Sequence, residues 1–340
     1  MSRFLNIHHS CLVMLPAIVV NTALPNQTVA IDVPTNAVYN NMQLRMKIKT
    51  KGEGLENIRF GGFANIIKTA CIRIDGDKTR QHVSGLGIYN DAFLRNGREA
   101  EGPQDLGEDG ICHTLDYNFT GRGFGLDQAY ALDLRHDKDR GNQTYNTVRL
   151  ELEIGNLADV YSAVGQASID SFVIEVWAEQ LFSTAESRAR LSAGASYFAE
   201  VIRTSESRKI SEVGARQFFT VEQVGTASLA DMTITQVDEA GQPVPFDDEN
   251  MVISVTIEGE TLCTAPLWFY RRRENNLRVD ALPPNMAHIS TLKLGGHFGG
   301  ISSSYLQNGK VQLSLAANDA EGQTGDTRLI VCKSYARKDN

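Results

Sequence analysis

The chain has 340 residues, 42% of them hydrophobic and 22% charged, a balance that suits two ordinary domains with cores of their own and excludes a disordered polymer. Its formal net charge of −8 argues against a protein that coats nucleic acid, because phosphate neutralisation needs a basic surface. The five cysteines, Cys11, Cys71, Cys112, Cys263 and Cys332, contain no C-x-x-C and are odd in number, so they read as reduced thiols and not as a disulfide framework or zinc site.

In chain order, "CLVMLPAIVV" (11–20) is apolar but short of the roughly 20 residues a membrane helix needs. One arginine before it and "NTALPNQ" after it make a poor signal peptide, so it reads as a buried strand or an anchoring arm. Strict alternation follows in "VAIDV" (29–33) and "MQLRMKI" (42–48), the latter placing Met42, Leu44, Met46 and Ile48 on one face. Period two of this kind marks half-buried strands. "CIRIDGDKT" (71–79) is another such strand run into an acidic-glycine turn. The stretch "HVSGLGIYNDAFLRNG" (82–97) predicts a short helix around Ile88, Ala92 and Phe93, ended by Gly97. A polar insertion, "NGREAEGPQDLGEDG" (96–110), predicts an exposed loop.

The middle of the chain offers two features that resemble sites. "GRGFG" (121–125) has glycines, but Leu126 stands where a dinucleotide fingerprint needs glycine, so a turn between strands is the better reading. "DLRHDKDRGNQ" (133–143) gathers Asp133, Asp137, Asp139 and His136 among basic residues without calcium-loop spacing, and reads as a charged surface loop. Then "VRLELEI" (148–154) puts Val148, Leu150, Leu152 and Ile154 on one face, "GN" (155–156) breaks it, and "FVIEVW" (172–177) resumes alternation. "AESRARLSAGASYFAEVIRT" (185–204) lacks alternation and reads as a linker with partial helix.

Beyond it lie "MVISVTI" (251–257), "STLKL" (290–294), "VQLSL" (311–315) and "RLIVC" (328–332), with turn signals such as "QNG" (307–309) between them. "DEAGQPVPFDDEN" (238–250) interrupts this half with extra acids. "SVTIEGETL" (254–262) repeats the earlier phrase, an alternating strand ending in acid-glycine-acid. "APLWFYRRRENN" then supplies Trp268, Phe269 and Tyr270 and the run Arg271-Arg272-Arg273, as Tyr89, Phe93, Arg95 and Arg98 follow the first copy. A glycine-containing stretch comes next in each half ("FTGRGFG", 119–125; "GGHFGG", 295–300), and each half closes on two strands. The arginine run reads as a solvated loop or an interface salt bridge, and the aromatic group as core or interface.

These features predict an all-β chain of two tandem β-sandwiches: 1–182, a linker at 183–215, and 216–340. The repeated phrase is read as the end of an equivalent strand in each copy, where the turn releases the chain into a short helix. The halves differ in length, which leaves the strand count of the second open.

No catalytic, cofactor or metal residues are proposed. The histidines, His8, His9, His82, His113, His136, His288 and His297, form no H-x-H or H-E-x-x-H, and neither G-x-S-x-G nor a phosphate-binding loop occurs. The N-x-T triplets at Asn26, Asn118 and Asn142 read as chance in a reducing compartment. Such a chain is expected to be structural or binding, its surface being its function.

"RFLN" (3–6), "LPNQT" (24–28) before an alternating strand, and "IRIDGD" resemble the major capsid proteins of tailless, membrane-containing icosahedral bacteriophages, of the corticovirus and tectivirus types. The resemblance implies a double jelly roll, two eight-stranded sandwiches side by side and upright in the shell. Three chains would form a pseudo-hexagonal homotrimer tiling a virion over an internal lipid membrane. Its partners would be its own copies, neighbouring trimers, penton and minor membrane-associated proteins and the viral membrane, with no direct nucleic acid. It would be made in the host cytoplasm and reside in the virion capsid, with no enzymatic activity or cofactor. The alternative from another class is a carbohydrate- or receptor-binding β-sandwich spike, which grouped aromatics on an exposed loop would favour. A third is a jelly-roll amidase or glycosidase, needing convergent carboxylates in a cleft.

Overall fold

A computed structural model of the chain describes residues 9–24, 26–35, 37–76, 78–96, 102–119, 132–134, 145–182, 200–210, 217–220, 228–247, 249, 251–257, 260–275, 281–290, 311–317 and 327–337. The backbone divides into two compact units, Met1–Val201 and Ile202–Arg337.

The first unit contains β1 (His9–Met14), β2 (Ile18–Val19), β3 (Gln27–Asp32), β4 (Val38–Lys51), β5 (Glu56–Ile58), β6 (Ile67–Ile74) and β7 (Lys78–Val83). Helix α1 (Gly85–Asn96) follows, then β8 (Gln104–Asp105), β9 (Ile111–Asn118), β10 (Leu132–Asp133) and β11 (Val148–Ile154). Helix α2 (Leu157–Val160), β12 (Tyr161–Ala163) and β13 (Ser168–Phe182) complete it. One sheet runs β1-β13-β4-β9-β8, with β2 also on β13 and β10 on β4; in the other the order is β3-β11-β6-β7. When the eight principal strands β1, β3, β4, β6, β7, β9, β11 and β13 are lettered B to I, the sheets read B-I-D-G and C-H-E-F. That is the strand order of a jelly roll.

Alternation builds this core as the sequence predicts. Met42, Leu44, Met46 and Ile48 of β4 are buried, and Phe172, Ile174, Val176 and Ala178 of β13 lie beside them. On the other sheet Val148, Leu150, Leu152 and Ile154 of β11 are buried, with Leu150 opposite both Ile31 and Ile72. A one-residue slip would turn every one of these side chains outward, so the pattern also fixes the register. Tyr39 closes one end of the core, its hydroxyl donating to the Pro34 carbonyl (3.0 Å) and accepting from Gln180 (3.2 Å).

The second unit comprises β14 (Glu200–Ile210), β15 (Gln217–Thr220), β16 (Ser228–Val237), β17 (Met251–Ile257), β18 (Glu260–Pro266), helix α3 (Leu267–Asn275), β19 (Met286–Ser290), β20 (Val311–Ala317) and β21 (Thr327–Arg337). Its strand orders are β19-β16-β21-β14 and β15-β20-β17-β18. Lettered B to I in the same way, β14 to β21 give G-D-I-B and C-H-E-F, the order of the first unit. The second half therefore carries a full set of eight strands among the described residues, despite its shorter length. Ile234, Ile253, Leu329, Val331 and Tyr335 are among the residues of its core.

The repeated phrase lies at the turn between strands E and F in both halves. In the first, Ile74 pairs with Lys78 across the turn, and in the second Ile257 pairs with Glu260. Asp75 (φ 50°) and Gly76 (φ 79°) both occupy the left-handed region that such a turn demands. Here the structure corrects the sequence reading. The turn does not release the chain into a helix; it returns strand F (β7 or β18), and the helix begins only afterwards. The motif is thus an E-F hairpin followed by a helix, used twice.

One further expectation is revised. Residues 200–204, read as part of a partly helical linker, belong to β14, as do 205–210; 183–199 and 211–215 lie outside the described residues. The short helix expected around Ile88, Ala92 and Phe93 is present as α1, which starts at Gly85 once His82 and Val83 have ended β7. Ser84 caps it, its hydroxyl accepting from the Gly87 amide (3.1 Å). The apolar segment 11–20 contributes the end of β1 and β2, so the strand reading applies, although only part of it is buried. Of "STLKL", only Ser290 is described, at the end of β19.

Candidate functional site

The residues singled out for chemistry do not converge. His113 is buried in β9 with its ring edge-on to Tyr89, centroids 6.1 Å apart. His288, buried in β19, lies 3.9 Å from Asp231. His82 sits exposed in β7, and His9 belongs to β1. His8, His136, His297, Asp137, Asp139, the "GRGFG" stretch and "GGHFGG" lie outside the described residues, while Asp133 is in β10 opposite Val38. Among the described residues no three of His, Cys, Asp or Glu come together as metal ligands, and no helix is long and apolar enough to cross a membrane. Cys71 and Cys112 are buried free thiols. Burial, reinforced by Glu151, pushes the Cys71 thiol above its ordinary pKa, the opposite of a reactive cysteine.

What the molecule does present is two surfaces of distinct chemistry. The first is the outer face of the B-I-D-G sheet of the first roll. Glu175 on β13 accepts from Lys47 (2.5 Å) and Arg45 (3.2 Å) of the neighbouring β4, and the Lys47 hydrogen bond above all holds its carboxyl below the usual range. Glu179 accepts from the side-chain amides of Asn40 (2.9 Å) and Asn41 (3.0 Å). Beside this polar field runs an apolar strip. Leu12 and Met14 of β1 are 62% and 58% exposed, Val19 of β2 is 76% exposed, and Trp177 and Val173 of β13 are half-buried beside them. Register places Leu12 opposite Glu179, Met14 opposite Trp177 and Val19 opposite Val173, so the strip is contiguous.

The second surface is on α3. Leu267 and Tyr270 anchor the helix in the core of the second roll, while Trp268 and Phe269 point outward at 38% and 43% exposure. The aromatic group is therefore split between core and surface. Its arginines do not form a solvated loop. Arg271 is buried, and its guanidinium donates to the Pro284 (2.5 Å) and Leu282 (3.2 Å) carbonyls, tying the helix to the segment before β19. Arg272 is exposed. Nothing in the sequence periodicity marks this face, since "LWFYRRREN" has no clean apolar stripe.

No family model matches the chain, and no curated protein resembles it in sequence. Solved structures do match over nearly the whole length. The STIV MCP superposes with a TM-score of 0.64 at 12% identity, covering 96% of each chain. The major capsid protein of bacteriophage PM2 gives a TM-score of 0.55 at 12% identity, covering 98% of this chain and 99% of that one. A chain of the PBCV-1 virus capsid gives 0.59 at 11% identity, covering 96% and 93%. At such identities the likeness is one of fold. Strand order within each half and the match along both halves together make this chain a double jelly roll.

Proposed function

We propose that this protein is a major capsid protein, a shell component that acts through contacts between its own copies. The observation that carries the reading is the tandem repetition: two jelly rolls of identical strand order in one chain, matching capsid proteins end to end. A chain that repeats one wall-forming fold offers a shell six similar walls from three copies, which closes a ring with one recurring kind of contact. In this reading the protein forms pseudo-hexagonal homotrimers that tile an icosahedral virion over an internal membrane, with penton and minor membrane proteins as further partners. It is synthesised in the host cytoplasm and has no enzymatic role.

The competing spike reading needs aromatics arranged for sugar stacking. Trp268 and Phe269 are exposed, but they sit on a helix and meet at 79°, with centroids 6.2 Å apart, so they offer no common flat platform. Light scattering on the purified chain tests the proposal. A stable trimer with a hexagonal outline in negative stain is expected; a monomer that binds glycans at α3 would replace it with the spike reading.

A further inference from the structure

The two rolls are alike in strand order and opposite in what they leave bare. In the first roll, every position of α1 with a described environment from Gly85 to Leu94 is buried except half-buried Tyr89, so the helix is covered around its circumference. In the second roll, the equivalent helix α3 leaves Trp268, Phe269 and Arg272 in solvent. The B-I-D-G sheets show the reverse. In the second roll all residues from Leu229 to Val237 of β16 and Met286 to Ile289 of β19 are buried, polar Thr233, Thr235 and His288 included. In the first roll the outward side of that sheet carries the bare Leu12, Met14 and Val19 strip. Each chain therefore exposes one helix face and one sheet face whose equivalents in the other roll are covered.

We propose that the Trp268–Phe269–Arg272 face of α3 docks onto the Leu12–Met14–Val19–Trp177 strip of a second copy of this chain. The inference rests on the capsid reading and adds to it the contacting residues and the sense of the contact. Chemistry at the two faces agrees. Two aromatics and an arginine are the composition of an interface hot spot, and the strip is an apolar seat for them. Glu179 stands directly across the ladder from Leu12 and, among the described residues, accepts from the neutral amides of Asn40 and Asn41, which gives Arg272 a carboxylate at the edge of the seat. The contact joins unlike surfaces, so each chain gives its helix to one neighbour and its sheet to the other. Such a head-to-tail contact makes a ring when its rotation closes, and the trimer of the capsid reading is a closed ring of three. The bare strip also lies at a sheet edge, since β1 is the last strand of its sheet, and an uncovered apolar edge invites association. A lipid surface is the other candidate for an apolar strip, but Glu179 at its edge accepts from the neutral amides of Asn40 and Asn41, and a carboxylate there is a poor match to anionic headgroups.

The test uses full-length chains and multi-angle light scattering. One variant blocks the helix (Trp268→Asp with Phe269→Asp), the other blocks the strip (Leu12→Lys with Met14→Lys). All four positions are exposed or on an outward face, and circular dichroism of each variant checks the fold. Each variant alone is expected at one chain mass of 37.4 kDa. Mixed together they are expected to form a species of two chain masses, because one intact helix meets one intact strip. Arg272→Glu and Glu179→Lys should each weaken association about tenfold or more, and the two combined in one chain should restore it. Assembly of wild type together with unchanged assembly of the helix variant would overturn this contact while leaving the capsid reading in place. Assembly by the strip variant alone would overturn it in favour of a helix-to-helix contact. Variants that assemble normally but lose flotation with phosphatidylserine vesicles would overturn it in favour of lipid. A wild type that stays monomeric would defeat the capsid reading itself.

Discussion

Asp75 in the E-F turn of the first roll carries two separable burdens, and substitutions there should divide them. Its backbone sits at φ 50°, a region open to Asp, Asn and Gly but strained for other residues. Its carboxylate accepts from the backbone amides of Asn146 (2.8 Å) and Thr147 (3.0 Å), stapling the turn to the segment entering β11. Hydrogen bonds to a charged acceptor contribute about 1.5 kcal/mol or more each when buried, so two at this solvent-facing site give about 2 kcal/mol together. Left-handed backbone without a compatible side chain adds about 1 kcal/mol. Asp75→Gly removes the staple alone and should cost about 2 kcal/mol, or somewhat more for the added freedom of the unfolded chain. Asp75→Ala removes the staple and strains the backbone, for about 3 kcal/mol. Asp75→Asn keeps the conformation and an accepting oxygen, and should cost under about 1 kcal/mol. Urea unfolding followed by tryptophan fluorescence and circular dichroism gives the ordering Asn, Gly, Ala. Equal losses for Gly and Ala would refute the strain argument, and an unchanged Gly variant would refute the staple.

Further tests address the core and its titrating groups. Leu152 is fully buried on β11 between Ala70 and Val29, so Leu152→Ala should destabilise by about 3 kcal/mol, while outward Glu153→Ala should change stability by under about 0.5 kcal/mol. Comparable losses at the two sites in denaturant melts would contradict the register. A Cβ at Gly85 would lie 1.9 Å from the Ala64 carbonyl oxygen, backbone against backbone, so Gly85→Ala should lower the melting temperature in spite of alanine's better helix propensity; a rise in melting temperature would count against this packing. Glu175 has a depressed carboxyl pKa, so its contribution is present above the usual carboxylate range and lost as pH falls through its folded value. Glu175→Gln should accordingly flatten the acid side of the stability profile, and an unchanged acid slope would rule the effect out. Burial pushes the Tyr39 hydroxyl up to about 12, so stability is complete below about 10 and drains away as pH rises toward 12. Tyr39→Phe should lessen that alkaline loss, as read from melts at pH 9 to 11.

The strand faces were legible because a strand has only two sides. In "VRLELEI" and "MQLRMKI" every second residue had to be apolar to meet the core, and burial follows that alternation residue by residue. Strand G of the first roll was harder to read. Along "ICHTLDYN" the inward positions are His113, Leu115 and Tyr117, and a histidine on the core side breaks the apolar pattern. Strands F were hidden for a related reason: "KTRQHV" is mostly polar and "ETLCTAP" does not alternate, and only hydrogen-bonding to their E neighbours makes them strands. Thus the phrase repeated in the two halves correctly marked equivalent strand ends, while the hairpin it begins came from pairing.

By itself the sequence determined the class of structure, the inward side of most strands and the doubling of one unit, since these depend on local polarity and turn chemistry. Tertiary structure decided the strand order and which apolar residues stay bare. Leu12 and Met14 read as core by composition yet lie outward, and Trp268 is exposed one residue from buried Leu267. Exposure at such positions is a property of what else covers a face, and no single strand or helix encodes its own cover.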